Sequence, residues 1–252
     1  MNRWRQFLLA RELSGQKRRP GNLPGFRRLV GPEGPLAGVT ATCFLLYRPP
    51  EELAARGSIG DFVERIVPRL LAQLHRSTHP RRVHLRGRAR GDVDWAATVK
   101  ARLAGSQDPT VFVCRESRRL YDLPENRLLK YLVEKLSTCL QRAPQELADW
   151  SWPGATEYVG DRLAFVAHRL RRFRANAYLR DVELPGTIHG EHLTAARNAR
   201  NPLYAKLADF HDFYAAVIEV PQWDLWTQIL RQSCVLLPAD EARILDRTMA
   251  GA

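Results

Sequence analysis

The chemistry this chain offers is that of arginine. Arg81, Arg82, Arg86, Arg88 and Arg90 form one cluster, and Arg169, Arg171, Arg172 and Arg174 form another. Guanidinium groups at this density suit phosphate oxygens, which they meet with forked hydrogen bonds while displacing condensed counterions. From Arg65 through Gly91 there are eight arginines and no acid, with His75, His79 and His84 among them. The alternation in RRVHLRGRAR predicts an extended or hairpin segment with arginines on one face. That face is either a solvated surface or a phosphate-contacting ribbon. Trp150 and Trp152, flanking Ser151, are the candidate partner-binding aromatics, suited to stacking on a base or filling a pocket.

Recognisable catalytic patterns are missing. There is no phosphate-cradling loop ending in Lys-Ser or Lys-Thr, no G-x-G-x-x-G after a strand, no G-x-S-x-G and no H-E-x-x-H. His189 and His192 are three apart, but they sit in a Pro/Gly-bounded turn without a third ligand, so no metal is assigned. A restriction-type nuclease needs an acid–x–Lys beside a further acid, to hold Mg²⁺ and orient water. None of the five lysines supplies it, and VIEVPQW carries Pro221 where the Lys would stand. A metal-independent helical ribonuclease would want an Arg with a polar neighbour and a His four residues on. Arg197-Asn198 and Arg200-Asn201 lack that His. No catalytic residue, metal or cofactor is therefore assigned. Asp92, Asp94, Glu125 and His189 are what a nuclease of unrecognised type would have to use.

The whole composition agrees with a polyanion partner. The 252 residues carry 39 Lys and Arg against 27 acids, a net charge of +12. Only five of the basic residues are Lys, which coding bias explains; the excess of base over acid it does not. Cys43, Cys114, Cys139 and Cys234 are far apart in apolar contexts, with no C-x-x-C, and read as buried thiols in a reducing compartment. No run of 18 apolar residues exists, and Phe7–Ala10 is too short for a signal peptide, so a cytoplasmic protein without membrane contact is expected.

The elements that must carry these residues divide the chain at two places. Residues 1–38 read as a basic N-terminal helix followed by a Gly/Pro-dense flexible arm. Residues 39–120 read as a small α+β domain. Its strands are Val39–Tyr47, Val83–Arg90 and Thr110–Arg115, with a helix capped by Ser58 and interrupted at Pro68, and another capped by Asp94. Residues 121–252 read as helical, led by ENRLLKYLVEKLSTCLQRA with its stripe of Leu128, Leu129, Leu132, Val133, Leu136 and Leu140. The expected fold class is α+β, predominantly α-helical, with a small N-terminal β element packed on a C-terminal helical bundle. Trp95 is expected to be a core anchor.

Residues 85–136 carry the most specific pattern. Arg86-Gly87, Val93, Trp95 and Thr98 precede a strand with Phe112 and Cys114. Then Asp122, Pro124, Glu125 and Asn126 open a helix with Leu128, Leu129 and Lys130. In this the chain resembles the McrC-like family of restriction proteins of bacterial and archaeal defence operons, and the resemblance extends weakly to Arg200–Tyr204. It implies the non-nuclease part of such a protein: a subunit that touches DNA and joins a separate nuclease to a motor NTPase. The nuclease domain that usually follows in the family is expected on another polypeptide.

The sequence thus leads to a non-catalytic nucleic-acid-binding adaptor of an antiviral restriction system, with duplex DNA the leading ligand. A pure protein–protein adaptor meeting an acidic surface is the competing reading.

Overall fold

The computed structural model describes residues 31–34, 37–47, 58–104, 108–143, 158–222, 224–226 and 228–229. Trp150, Trp152, Cys234 and most of the basic N-terminal arm lie outside them. The fold is mainly helical with one small antiparallel sheet, an α+β architecture as expected.

The first element corrects the sequence reading. The segment expected as a strand, Val39–Tyr47, is helical up to Leu46, forming α1 (Ala37–Leu46), and no part of it is a strand. Ala41, Cys43, Phe44, Leu45 and Leu46 are all buried, as are Thr40 and Thr42 between them. An element covered on every side shows no periodicity, so its β-branched residues alone had suggested a strand. The two threonines are accommodated because their hydroxyls are bonded: Thr42 Oγ1 donates to the Gly38 carbonyl at 2.9 Å, and Trp226 Nε1 donates to Thr40 Oγ1 at 3.2 Å.

Helix α2 runs from Ile59 to Ala72. Ser58 caps it, its hydroxyl accepting from the Asp61 amide at 3.1 Å. Its middle, Phe62–Ile66, is π-helical, and Val67–Ala72 returns to α. The widened turn stands directly before Pro68, which has no N–H to continue the ladder; the disturbance expected at Pro68 takes this form. After the sheet region come α4 (Pro124–Arg142), α5 (Val159–Arg174), the short α6 (Ala177–Arg180), α7 (Gly190–Asn198) and α8 (Pro202–Tyr214), the last prolonged by a π-helical turn, Ala215–Glu219.

One core unites α1, α2, α4, α5 and α8. Phe44 lies among Phe210, Phe213 and Tyr214, and Phe62 stacks on Phe210 at 4.5 Å. From α4 it takes the expected stripe, with Leu128, Leu129, Leu132, Val133 and Leu136 buried and Leu140 at its edge. The sheet stands outside this core. It has the order β1-β3-β2, with β1 Ser77–Arg86, β2 Asp92–Val93 and β3 Val111–Leu120. Its buried Val113 and Cys114 are not members of the helical cluster. Between β2 and β3 lies α3 (Trp95–Ala104), which seals the edge of β3 that the two-residue β2 leaves open. There Thr98 Oγ1 accepts from the Val113 amide at 2.9 Å, and Arg102 Nε donates to the Val111 carbonyl at 2.9 Å. Residues 77–120 form a wing on the helical body.

Candidate nucleic-acid interface

Eleven Lys and Arg against four acids occur between residues 76 and 120, so the wing region carries seven of the chain's twelve net positive charges. Strand alternation sorts them. The β1–β3 register pairs Arg82 with Arg115, His84 with Val113, Arg86 with Val111, and Thr78 with Arg119. Arg82, His84, Arg86, Arg115 and Arg119 therefore share one face. The other face carries Val83, Leu85, Phe112 and Cys114, with Arg81 and Arg118 further along it. The arginine face read from RRVHLRGRAR is thus built from Arg82 and Arg86, and Arg81 points the other way.

Alternation stops at Gly87. Gly87 (φ 79°) and Gly91 (φ 77°) are both left-handed and bracket the exposed Arg88 and Arg90 in a turn. Gly91 is further constrained: a Cβ there would come within 2.9 Å of the Arg115 carbonyl oxygen.

Acids hold part of this field in place without cancelling it. Asp94 accepts from the Ala97 amide at 3.1 Å, the expected cap of α3, and also meets Arg82 and Arg115 at 3.2 Å each. The Ala97 bond, then Arg115, hold its carboxyl below the ordinary carboxylate value. With its oxygens engaged in this way, Asp94 is a cap and a charge bridge. Arg86–Asp108 and Arg90–Glu116 are looser, at 3.9 Å, with side chains 80% exposed on both arginines. Exposed pairs of that length contribute little, so these guanidiniums can turn to a phosphate.

The second cluster lies on the helical body, on α5. Arg171 and Arg172 are exposed; Arg174 is paired with Glu134 at 2.8 Å, and Arg169 lies 5.2 Å over the Phe165 ring. Near a helix C-terminus these cations also complement the helix dipole. Among the described residues, no hydrogen bond or ion pair joins this cluster to the wing. Trp150 and Trp152, the expected partner-binding aromatics, lie outside the described residues.

The residues that open α4 bind the wing's root. Asn126, fully buried, donates from Nδ2 to the His75 carbonyl at 2.8 Å and to the Tyr121 carbonyl at 2.7 Å. Tyr204 donates its hydroxyl to Asn126 Oδ1 and accepts from the His75 amide at 3.1 Å. The His75 Nδ1 meets Glu125 Oε1. Asp122 holds Arg127 in a bidentate pair at 2.9 and 2.8 Å, and Lys130 donates to the Val182 carbonyl at 2.5 Å. Two clefts share His75: one is lined also by Gln73, Arg76, Tyr121 and Tyr178, the other by Arg200, Asn201 and Tyr204. A histidine backed by a carboxylate suits proton transfer; among the described residues no Ser, Thr or Cys lines either cleft. The geometry describes a clamp.

His189 and His192 form a helix cap, with the His189 amide donating to His192 Nδ1 at 3.2 Å. No metal-ligating group of three exists among the described residues, and none of their helices is long and apolar enough to cross a membrane. Trp95 corrects the sequence reading: it is 62% exposed, touching Phe112 edge-on at 6.5 Å, because α3 turns it outward beside β3. Sequence reasoning also missed Arg115 and Arg119. The period of two in Arg115-Glu-Ser117-Arg-Arg119 was the available signal, but the strand was expected to stop at Arg115. Neither the models of known protein families nor the curated proteins match this chain.

Proposed function

We propose that this protein is a non-catalytic nucleic-acid-binding subunit that serves as adaptor in a cytoplasmic, restriction-like antiviral system, with duplex DNA its leading ligand. The observation that carries the first part is the wing: a narrow body outside the main core, with Arg82, Arg86, Arg115 and Arg119 on one face and Arg88 and Arg90 in its bracketed turn. Such a surface matches the spaced phosphates of a backbone rather than a single anion. The adaptor part rests on the resemblance to McrC-like proteins, whose motif residues here hold the wing to the helical body. On this reading a separate nuclease, a motor NTPase or both complete the system.

The test is binding of the full chain to fluorescent duplex DNA, single-stranded DNA and RNA over a salt series. Binding that falls steeply with salt, and is weakened by Arg86→Glu, Arg88→Glu and Arg90→Glu together, is the expected outcome. Absence of binding to all three at low salt would overturn the nucleic-acid reading and leave the wing as a protein interface.

A further inference from the structure

Helix α3 carries a feature that phosphate contact does not use. Trp95, Val99 and Leu103 recur every fourth residue and are 62%, 52% and 75% exposed. That spacing places them on one ridge of the helix. One exposed apolar side chain is ordinary; three in line on a ten-residue helix make a continuous apolar strip. The fold does not require the strip. The side of α3 that meets β3 is occupied by the buried Thr98 and by Arg102, whose guanidinium lies 4.9 Å over Phe112. At helical spacing the exposed Lys100 flanks the ridge on one side and the half-buried Arg102 on the other, Arg102 keeping its Nε on the Val111 carbonyl, and α3 contains no acid.

We propose that this ridge docks an acidic amphipathic helix of a second protein. Apolar anchors on that helix would cover Trp95, Val99 and Leu103, with its carboxylates turned to Lys100 and Arg102. Charge selects this occupant. A second copy of the chain would bring two cationic flanks together. Nucleic acid would find a single ring, Trp95, and two aliphatic side chains that offer a base nothing to stack on. The proposal gives a chemistry to the adaptor half of the function above and rests on that half alone, since it uses none of Arg82, Arg86 or Arg119.

The experiment compares the full chain with its Val99→Ser/Leu103→Ser variant and, separately, Trp95→Gln. All three positions are exposed, so both variants should keep the wild-type melting temperature. The probe is a fluorescent synthetic 18-residue helix with Leu on one face and Glu on the other. Its control has the same composition, scrambled so that the Leu residues share no face. Wild type should bind the amphipathic probe about tenfold or more tighter than the control, the scale expected of apolar anchors. Both variants should lose that preference while duplex DNA binding stays unchanged. Equal binding of probe and control, or a preference that survives both variants, overturns the proposal. So does a wild-type dimer in sedimentation that Val99→Ser/Leu103→Ser dissolves, which assigns the ridge to self-association. A variant that loses single-stranded DNA binding instead assigns it to base stacking. Failure of the chain to bind any nucleic acid would leave the peptide readout standing.

Discussion

Arg82 and Arg115 stand directly opposite each other across the β1–β3 ladder, and the carboxylate of Asp94 reaches both at 3.2 Å. Like charges in register oppose strand pairing. Here one acid relieves that repulsion while capping the helix that seals the sheet edge. The arginine face therefore depends on a residue that nuclease chemistry would have claimed.

Asp94→Ala removes the cap and the bridge together, whereas Asp94→Asn keeps a capping oxygen and loses only the charge. Hydrogen exchange should show faster opening of α3 and β3 amides in both variants, more so in the alanine one, with the helical core unaffected. The carboxyl is depressed in the fold, so its support is complete above its ordinary value of 3.8 and is lost as pH falls through the lower folded value. Unchanged exchange in Asp94→Ala would show that the bridge is incidental.

Asn126 should be among the costliest polar positions to alter. Alanine there strips the Tyr204 hydroxyl of its acceptor and the His75 carbonyl of its side-chain donor, while the Tyr121 carbonyl keeps the Leu123 amide at 2.9 Å. Each buried group left unpaired costs about 1–3 kcal/mol, so a loss of about 3 kcal/mol in urea unfolding is expected. Asp at this position accepts from Tyr204 but cannot donate to two carbonyls, and should rescue nothing. A loss near zero would mean that water replaces the amide.

Alkaline pH should destabilise the helical body through its tyrosines. Burial pushes Tyr204 up to about 12, and it raises Tyr131 and Tyr214 as well. A raised folded value means full stability below the ordinary value of 10.0, lost as pH climbs through the folded one. Urea midpoints between pH 8 and 12 should fall accordingly, and absorbance titration should resolve tyrosines that ionise only on unfolding. Tyr204→Phe, which leaves Asn126 Oδ1 without its donor, should cost about 1–2 kcal/mol at neutral pH. If every tyrosine titrates near 10 with the fold intact, the hydroxyls are not sealed as described.

The two arginine clusters should act independently. Charge reversal at Arg86 and Arg119 should lower the slope of log affinity against log salt by about 2, at roughly 0.9 per phosphate contact on duplex DNA. Reversal at Arg171 and Arg172 should lower it by about 1 or less. With no described hydrogen bond or ion pair between wing and α5, the two losses should add. Strong non-additivity would show that one stretch of ligand spans both.

Sequence reasoning reached the helical half well, because an amphipathic stripe such as that of α4 writes burial directly into spacing. Caps were legible for the same local reason: Ser58 and Asp94 both hold the helix starts expected of them. What failed was burial without period. Thr40–Tyr47 is covered on all sides, and β-branching outweighed length in the reading. Trp95 failed in the opposite sense, since its size suggested a core while α3 turns it to solvent. Of the candidate site, Arg82 and Arg86 were placed on a shared face correctly, but their partners Arg115 and Arg119 depend on a cross-strand register that one segment does not reveal. Asn126 was legible as part of a helix start, but its hold on the His75 carbonyl and its bond from Tyr204 involve segments distant in the chain.

That amide bears on how the molecule can be remade. It grips the chain at His75, where it leaves the helices, and at Tyr121, where it returns, and the first strand pair, Ser77 with Leu120, follows immediately. The two ends of the wing are thus already joined, and closing them with a short turn carries only a small entropic penalty. Everything between them is a cassette. Its buried Val113 and Cys114 take no part in the helical core, so a shorter or different hairpin between those two ends would leave that core's contacts as they are.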